Sequence, residues 1–322
     1  MIPRELTPRK ITLPSPGDHP IVLITGGALR HLRFAYRIQQ EFGQSVVGWY
    51  QVGGRRPGEG AGTRPTWMRR LALAAGDPLF AGMKWPDLKR YLSEHGVLTT
   101  ARKAGKILFE RLGPGAAFRR QRRMIAAERR IFGREIESIE RGARLEPVVV
   151  DDPNDPDVVA AIRALRPYFL LTHGGPIYGK ALLEVARGLA INQHSGWSPE
   201  FKGSNTTDWA LYHRSLDHVG CTVHVPISAV DAGPILRRSR PCLVGDENPE
   251  AIFARVVALG TELMIDVVKE IIRDHEITVY DQPAHTGRTW LASELTGRIL
   301  RSIERDYRDG WLREELQRVR SF

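Results

Sequence analysis

Three side chains within one stretch of this chain have the types and spacing of an acyl-transfer site: Asn192, His194 and Asp231. An imidazole with an amide two residues before it can bind a developing oxyanion, and a carboxylate can hold that imidazole charged or relay its proton through water. Taken one at a time, these residues are ordinary. Asn-x-His at a strand end reads as a satisfied turn, and Asp-Ala-Gly-Pro reads as a tight turn.

The order of the surrounding segments is more specific. The chain reads Asn-Gln-His, then Ser-Pro and Lys-Gly, then Asp-Trp-Ala-Leu, then Gly-Cys-Thr-Val-His, then Val-Asp-Ala-Gly-Pro-Ile-Leu. This set resembles the signature of the 10-formyltetrahydrofolate-dependent formyltransferases, a family that includes glycinamide ribonucleotide, methionyl-tRNA and sugar-amine formyltransferases. The likeness runs from about residue 148 to about residue 274, and weakly over 21–50. It implies an α/β fold, a Rossmann-like doubly wound sheet of the formyltransferase type, with 10-formyltetrahydrofolate as formyl donor. It also implies a catalytic set of Asn192, His194 and Asp231, with His224 in support. By matching position, Ile177, Tyr178, Gly233 and Pro234 are expected to contact the folate. The chain departs from the family in two places. Pro176 stands where the purine-pathway enzyme usually has arginine, which argues against that substrate, and Gly196-Trp197-Ser198-Pro199 replaces the usual Ser-Leu-Leu-Pro. Trp197 could stack on an acceptor's base or sugar face, or simply replace leucine in packing.

The resemblance implies transfer to a primary amine, and a small, phosphate-bearing amine such as an amino sugar is the favoured acceptor. A methionyl-tRNA formyltransferase-like enzyme is the alternative, but that group carries a C-terminal RNA-binding barrel of about a hundred residues and only about 48 residues follow Asp274. A 10-formyltetrahydrofolate hydrolase, or a non-catalytic anion-binding protein with a relict site, also stands open.

The elements that must position these residues follow from hydrophobic period and turn chemistry. Residues 21–25 read as a strand, Gly26-Gly27 as a turn, and 28–42 as a helix. The glycine pair could present helix N-terminal amides to a phosphate, with Arg30 and Arg33 assisting, but it lacks the third glycine and the acidic residue of a dinucleotide fingerprint. NAD binding is therefore rejected. Further strands are expected at 45–52, 147–150, 168–172, 189–193, 221–226 and 235–244, and helices at 155–165, 177–188 and 251–272. The strand at 189–193 delivers Asn192 and His194 at its C-terminal end, where open α/β sheets bind ligands.

The domain plan expected is an N-terminal extension at 1–18, a catalytic domain at 19–275 and a C-terminal extension at 276–322. A basic helical insertion at 55–144 interrupts the catalytic domain, carrying 21 Lys and Arg against 9 Asp and Glu, a net charge of +12. With +10 for all 322 residues, everything outside it sums to −2. The insertion is either a surface for an anion or a set of solvated helix faces. Within it, Phe118, Ile125, Ala126 and Phe132 are expected to form an apolar stripe ringed by arginines. Nucleic acid is a partner not favoured, and a homodimer stands open. At 42% hydrophobic residues and without a signal peptide or an apolar run of about 20 residues, the chain reads as a soluble, cytoplasmic protein. Cys221 and Cys242 are read as two reduced thiols, with no metal site implied.

Overall fold

The computed structural model describes residues 6–15, 17–53, 116–140, 143–283 and 286–320. Its strands are β1 (Thr7–Thr12), β2 (Ile21–Thr25), β3 (Val46–Val52), β4 (Val148–Val150), β5 (Phe169–His173), β6 (Leu189–His194), β7 (Phe201–Gly203), β8 (Cys221–His224), β9 (Ile235–Ser239), β10 (Glu276–Asp281) and β11 (Arg288–Trp290). Its α-helices are α1 (Leu29–Phe42), α2 (Ala116–Glu140), α3 (Pro156–Ala164), α4 (Lys180–Leu183), α5 (Thr206–Tyr212), α6 (Pro249–Asp274), α7 (Gly297–Arg308) and α8 (Trp311–Arg320).

One nine-stranded sheet runs in the order β1-β10-β9-β8-β6-β5-β2-β3-β4. Its half from β6 to β4 is parallel, and the half from β8 to β1 is antiparallel. In the parallel half the chain winds outward from β2 to β4, then returns to the other side of β2 for β5 and β6. That reversal between β2 and β5 is the switch point of a doubly wound sheet, where the strand ends open a crevice. Both faces are covered. Ile21, Leu23, Phe169, Leu171 and Ile191 pack under α1, α2 and α6, whereas Val22, Ile24, Leu170 and Ala190 pack under α3 and α4. Burial on both faces explains why β2 and β5 read as unbroken apolar runs. Helix α6 starts as its sequence dictates: Pro249 takes the first helical position, and the Asn248 side chain accepts from the Ala251 amide at 2.8 Å.

Several elements differ from expectation, each for a local reason. Strand β9 stops at Ser239, ahead of Pro241, which has no amide to give a ladder. The helix expected over 177–188 shrinks to α4, because Gly174 and Gly175 hold positive φ and Gly179 forms the N-cap. Both terminal extensions contribute to the central sheet, since β1 and β10 pair with each other over six positions and β10 then joins β9. No break in the sheet marks either boundary. Of the basic insertion, α2 is the described part, and 54–115 lies outside the described residues. Its buried stripe is Met124, Ala127, Phe132 and Ile136, so Ile125 and Ala126 fall on the outer side. The Phe118 side chain lies outside the described residues. The stripe seats α2 against α1, α6 and α7. Among the described residues no helix is long and apolar enough to cross a membrane.

Candidate active site

Strand β6 and the loop after β8 build the site. Along β6 successive side chains alternate faces, so Asn192 points to one side and Gln193 to the other. Gln193 is spent on structure: its Nε2 donates to the Val257 carbonyl at 2.9 Å inside α6. The loop 225–234 returns from β8 to β9 and carries Asp231 at φ +49°. It is closed by the Val225 amide donating to the Pro234 carbonyl at 2.9 Å. Gly233 makes this closure feasible, because a Cβ there would lie 1.9 Å from the Val225 carbonyl oxygen. From β10's end, Gln282 Nε2 donates to the carbonyls of Asp231 and Gly233 at 2.9 and 2.6 Å, which fixes the loop from outside.

The loop sets the Asp231 carboxylate between two imidazoles. Its Oδ2 lies 3.3 Å from His194 Nδ1 and its Oδ1 lies 3.2 Å from His224 Nε2. The Gly203 amide donates to Oδ2 at 2.8 Å. Burial pushes this carboxyl's pKa up, but the charge on His194, the bond from His224 and the Gly203 amide outweigh it and hold the group well below the usual carboxylate range. His194 Nε2 faces the Phe201 carbonyl at 3.0 Å, so both ring nitrogens meet oxygen atoms. Asn192 Nδ2 lies 3.0 Å from His224 Nε2, and its Oδ1 accepts from the Thr172 hydroxyl at 2.8 Å.

The structure therefore brings Asn192, His194 and Asp231 together, and it gives His224 a larger part than support from a distance. His224 touches both Asn192 and Asp231. The His194 side chain is 7% exposed and the Asp231 side chain 12%, so both are largely covered. His194 is covered by the turn after it, where Gly196 leaves room for the ring beside Thr206 and the Phe201 carbonyl.

The residues expected at the folate lie on two loops, the one after β5 and the one that carries Asp231. Ile177 is 64% exposed and stands on the loop following β5, pinned where Asn154 Nδ2 donates to its carbonyl at 3.0 Å. Tyr178 is buried, its hydroxyl donating to the Gly174 carbonyl, and burial drives its pKa far up, so it stays a neutral phenol. Gly233 is buried and Pro234 half-buried on the Asp231 loop. Ile227 on that same loop exposes 43% of its surface. These apolar side chains offer a flat ring something to cover.

Three open readings are decided by the structure, and Trp197 takes the packing alternative. Trp197 is 4% exposed, with the guanidinium carbons of Arg238 and Arg240 at 4.4 and 4.2 Å from its ring centre. It fills the interior between two arginines and presents no open stacking face. Arg30 and Arg33 do not wait for an anion, since Arg30 pairs with Glu128 at 2.6 Å and Arg33 with Glu135 and Glu262 at 2.8 and 2.9 Å. On α2, Arg120 pairs with Asp208, and Arg123 with Glu250 and Glu304 at 2.9 and 2.6 Å. Those arginines bind the helix to the rest of the protein.

Gly26 and Gly27 do stand before the N-terminus of α1, at the switch point, with Gly27 exposed. Next to them sequence reasoning missed a buried histidine pair. His31 turns back so that its Nδ1 accepts from the Ala28 amide at 3.1 Å, and its ring lies 4.9 Å from that of His173. Gly174 admits the ring, because a Cβ there would come within 2.6 Å of His31 Nε2. Burial, reinforced by Arg30, lowers the His173 pKa to about 3, so it is neutral in the native protein. A histidine at the third position of a helix after a glycine pair was the available signal. Among the described residues, no set of three or more His, Cys, Asp or Glu side chains is arranged to hold a metal ion.

Comparisons with known proteins find formyltransferases by name. The chain is 26% identical over 125 residues to the methionyl-tRNA formyltransferase of Thermosynechococcus vestitus, covering 39% of this chain and 37% of that protein. It is 29% identical over 161 residues to the same-named protein of Anaeromyxobacter dehalogenans, covering 49% of this chain and 51% of that one. The chain thus spans about half or less of the length of the curated relatives it matches. Among solved structures, a sugar N-formyltransferase from a Shewanella species superposes with a TM-score of 0.47 at 13% identity, over 85% of this chain and 78% of that one. The family model described as formyl transferase matches residues 141–268, a span that includes Asn192, His194, His224 and Asp231. Over residues 141–268 the chain is similar to the formyl transferase family.

Proposed function

We propose that this chain is an N-formyltransferase that moves the formyl group of 10-formyltetrahydrofolate to a primary amine. The observation that carries this reading is the Asp231 carboxylate clasped by His194 and His224, with the Asn192 amide against His224. The amine nitrogen attacks the formyl carbon, the carbonyl π pair moves onto oxygen, and the tetrahedral oxyanion collapses with departure of the folate N10. One proton passes from the amine to N10. His194 Nε2–H, released from the Phe201 carbonyl, and an Asn192 N–H would hold the oxyanion, while Asp231 keeps His194 oriented. The exposed apolar Ile177 and Ile227, with backbone at Gly233 and Pro234, suit a pterin ring.

The favoured acceptor is a small amine bearing phosphate, such as an amino sugar. Support comes from the turn ahead of α1, a helix of 14 residues, where Gly27 is exposed beside the helix N-terminus. A methionyl-tRNA acceptor is the second reading, favoured by the relatives' names and by the exposed Arg129, Arg130 and Arg134 on α2. Incubation with 10-formyltetrahydrofolate and a panel of nucleotide-linked amino sugars, amino acids and methionyl-tRNA, read by mass spectrometry, tests both. His194→Ala should lower the rate about 10²- to 10³-fold. Retention of more than a tenth of the parent rate by that variant would defeat the assignment.

A further inference from the structure

The Lys-Gly step of the sequence is Lys202-Gly203, in β7, and no step of the proposed transfer uses the lysine. Lys202 is 9% exposed. A lysine covered to that depth is almost always paired, because an ammonium taken out of water without a partner is costly. Arg33 and Arg238, whose side chains are buried as deeply, have carboxylate oxygens at 2.8 and 3.6 Å. Among the described residues, Lys202 has neither an ion pair nor a side-chain hydrogen bond. The acidic groups that its position would suggest are spent elsewhere. Glu200 stands by Arg238, and the Asp231 carboxylate is clasped by His194, His224 and the Gly203 amide.

One edge of β7 pairs with β11, and the other edge meets the site, since the Phe201 carbonyl faces His194 Nε2 at 3.0 Å and the Gly203 amide donates to Asp231 Oδ2 at 2.8 Å. Lys202 sits between those two bonds. Phe201 turns into the core that holds Trp209 and Trp290, so by strand alternation Lys202 leaves from the opposite face. Thr289, its register partner on β11, projects to the same face and is exposed, so that face is open to solutes beside the lysine. Covalent geometry puts the Gly203 nitrogen about 2.4 Å from the Lys202 Cα. Adding the 2.8 Å bond to Asp231 and a stem of about 6 Å keeps Nζ within about 12 Å of the carboxylate.

We propose that Lys202 is an anion-binding residue of the Asp231 site, whose ammonium takes an anionic oxygen group, phosphate or carboxylate, carried by a molecule bound there. This inference rests on the formyl-transfer reading and deepens it, since a phosphate-bearing amine and the glutamate tail of the folate each supply such a group. A compact ammonium with three donors on a flexible stem can follow an anion whose position varies with the molecule that carries it. The paired arginines of α1 and α2 cannot, because each would first have to leave its carboxylate. A bound anion relieves the cost of the buried charge, so part of the affinity comes from a penalty that the free protein carries. The free protein is therefore no more stable than one with an uncharged side chain of similar shape at this position.

The test uses the full chain as the parent, as Lys202→Met, which keeps the stem without the charge, and as Lys202→Arg, which keeps the charge. Calorimetric titration with inorganic pyrophosphate, and separately with 5-formyltetrahydrofolate, gives dissociation constants at fixed ionic strength, and thermal melts without ligand give stability. Lys202→Met should melt at or above the parent's temperature and bind one of the two probes about ten- to a hundredfold more weakly, with Lys202→Arg closer to the parent. Weakened pyrophosphate binding assigns the anion to an acceptor's phosphate, and weakened folate binding assigns it to the glutamate carboxylates; either supports the proposal. Unchanged binding of both probes by Lys202→Met, or binding of neither by the parent, would overturn it. A clear fall in the melting temperature of Lys202→Met, or its failure to fold while Lys202→Arg folds, would also overturn it, because the ammonium would then be satisfied inside the protein. Formyl release from 10-formyltetrahydrofolate by the parent is measured separately. Pyrophosphate binding that depends on Lys202, with no formyl release, would support the lysine's role and remove the formyl-transfer reading.

Discussion

Acidification should destabilise this protein through His173, by an amount the structure allows one to work out. The ring sits between His31 and Phe34, with centroids 4.9 and 5.4 Å away, and is 4% exposed. Its Nδ1 lies 3.3 Å from the Gln193 carbonyl, while its Nε2 is buried with no partner among the described residues. Burial first, and the nearby Arg30 second, lower its pKa from 6.5 to about 3. The unfolded chain therefore takes up a proton below about pH 6.5 that the native protein refuses until about pH 3. More protons bind to the unfolded state in that window, so stability falls as pH falls through it and stops falling near pH 3. At about 1.4 kcal/mol per pH unit, the two units between 6.5 and about pH 4.5 cost about 3 kcal/mol. Urea unfolding at about pH 7 and about pH 4.5 measures the loss. His173→Gln keeps an N–H for the Gln193 carbonyl and cannot titrate. Its loss between the two pH values should be smaller than the parent's by about 3 kcal/mol, while His31, also held neutral by burial, contributes to both proteins. Equal losses in the parent and in His173→Gln would refute the reasoning.

Gly233→Ala should destabilise by about 2–4 kcal/mol, because its Cβ would strike the Val225 carbonyl, and should displace Asp231; thermal melts together with the turnover assay check this. Arg120→Gln should cost about 1–3 kcal/mol by leaving the mostly buried Asp208 without its partner, with folate affinity unchanged; a loss of acceptor affinity at unchanged stability would instead restore the anion-recruiting role of α2. Asp231→Asn should cut turnover by about 10²-fold or more while a folate analogue still raises the melting temperature. Turnover near the parent level in that variant would remove Asp231 from the chemistry.

Periodicity and turn residues were enough to read the parallel half of the sheet, because its inner strands β2 and β5 are buried on both faces and its strands are punctuated by glycine or proline. The candidate set was legible for a different reason. Asn192, His194 and Asp231 lie in segments whose order along the chain is itself distinctive, so no contact had to be known. Strand edges such as Ser239 and the short α4 were not legible, since their limits depend on which backbone groups find partners.

The sequence by itself determined residue chemistry and local direction: which groups can ionise, where chain reversal is easy, and which faces must be buried. Only the tertiary structure decided what each charge is spent on. The arginines of 119–123 and of α1 read as a free basic surface because a sequence does not show distant partners. In the fold, Glu128, Asp208, Glu250 and Glu262 come from as far as 229 positions away to meet them. The same holds for Trp197, which arginines enclose. Pair energies fall off over a few ångströms, whereas sequence separation says little about distance in a folded sheet. What a polar side chain does is therefore settled by register and packing.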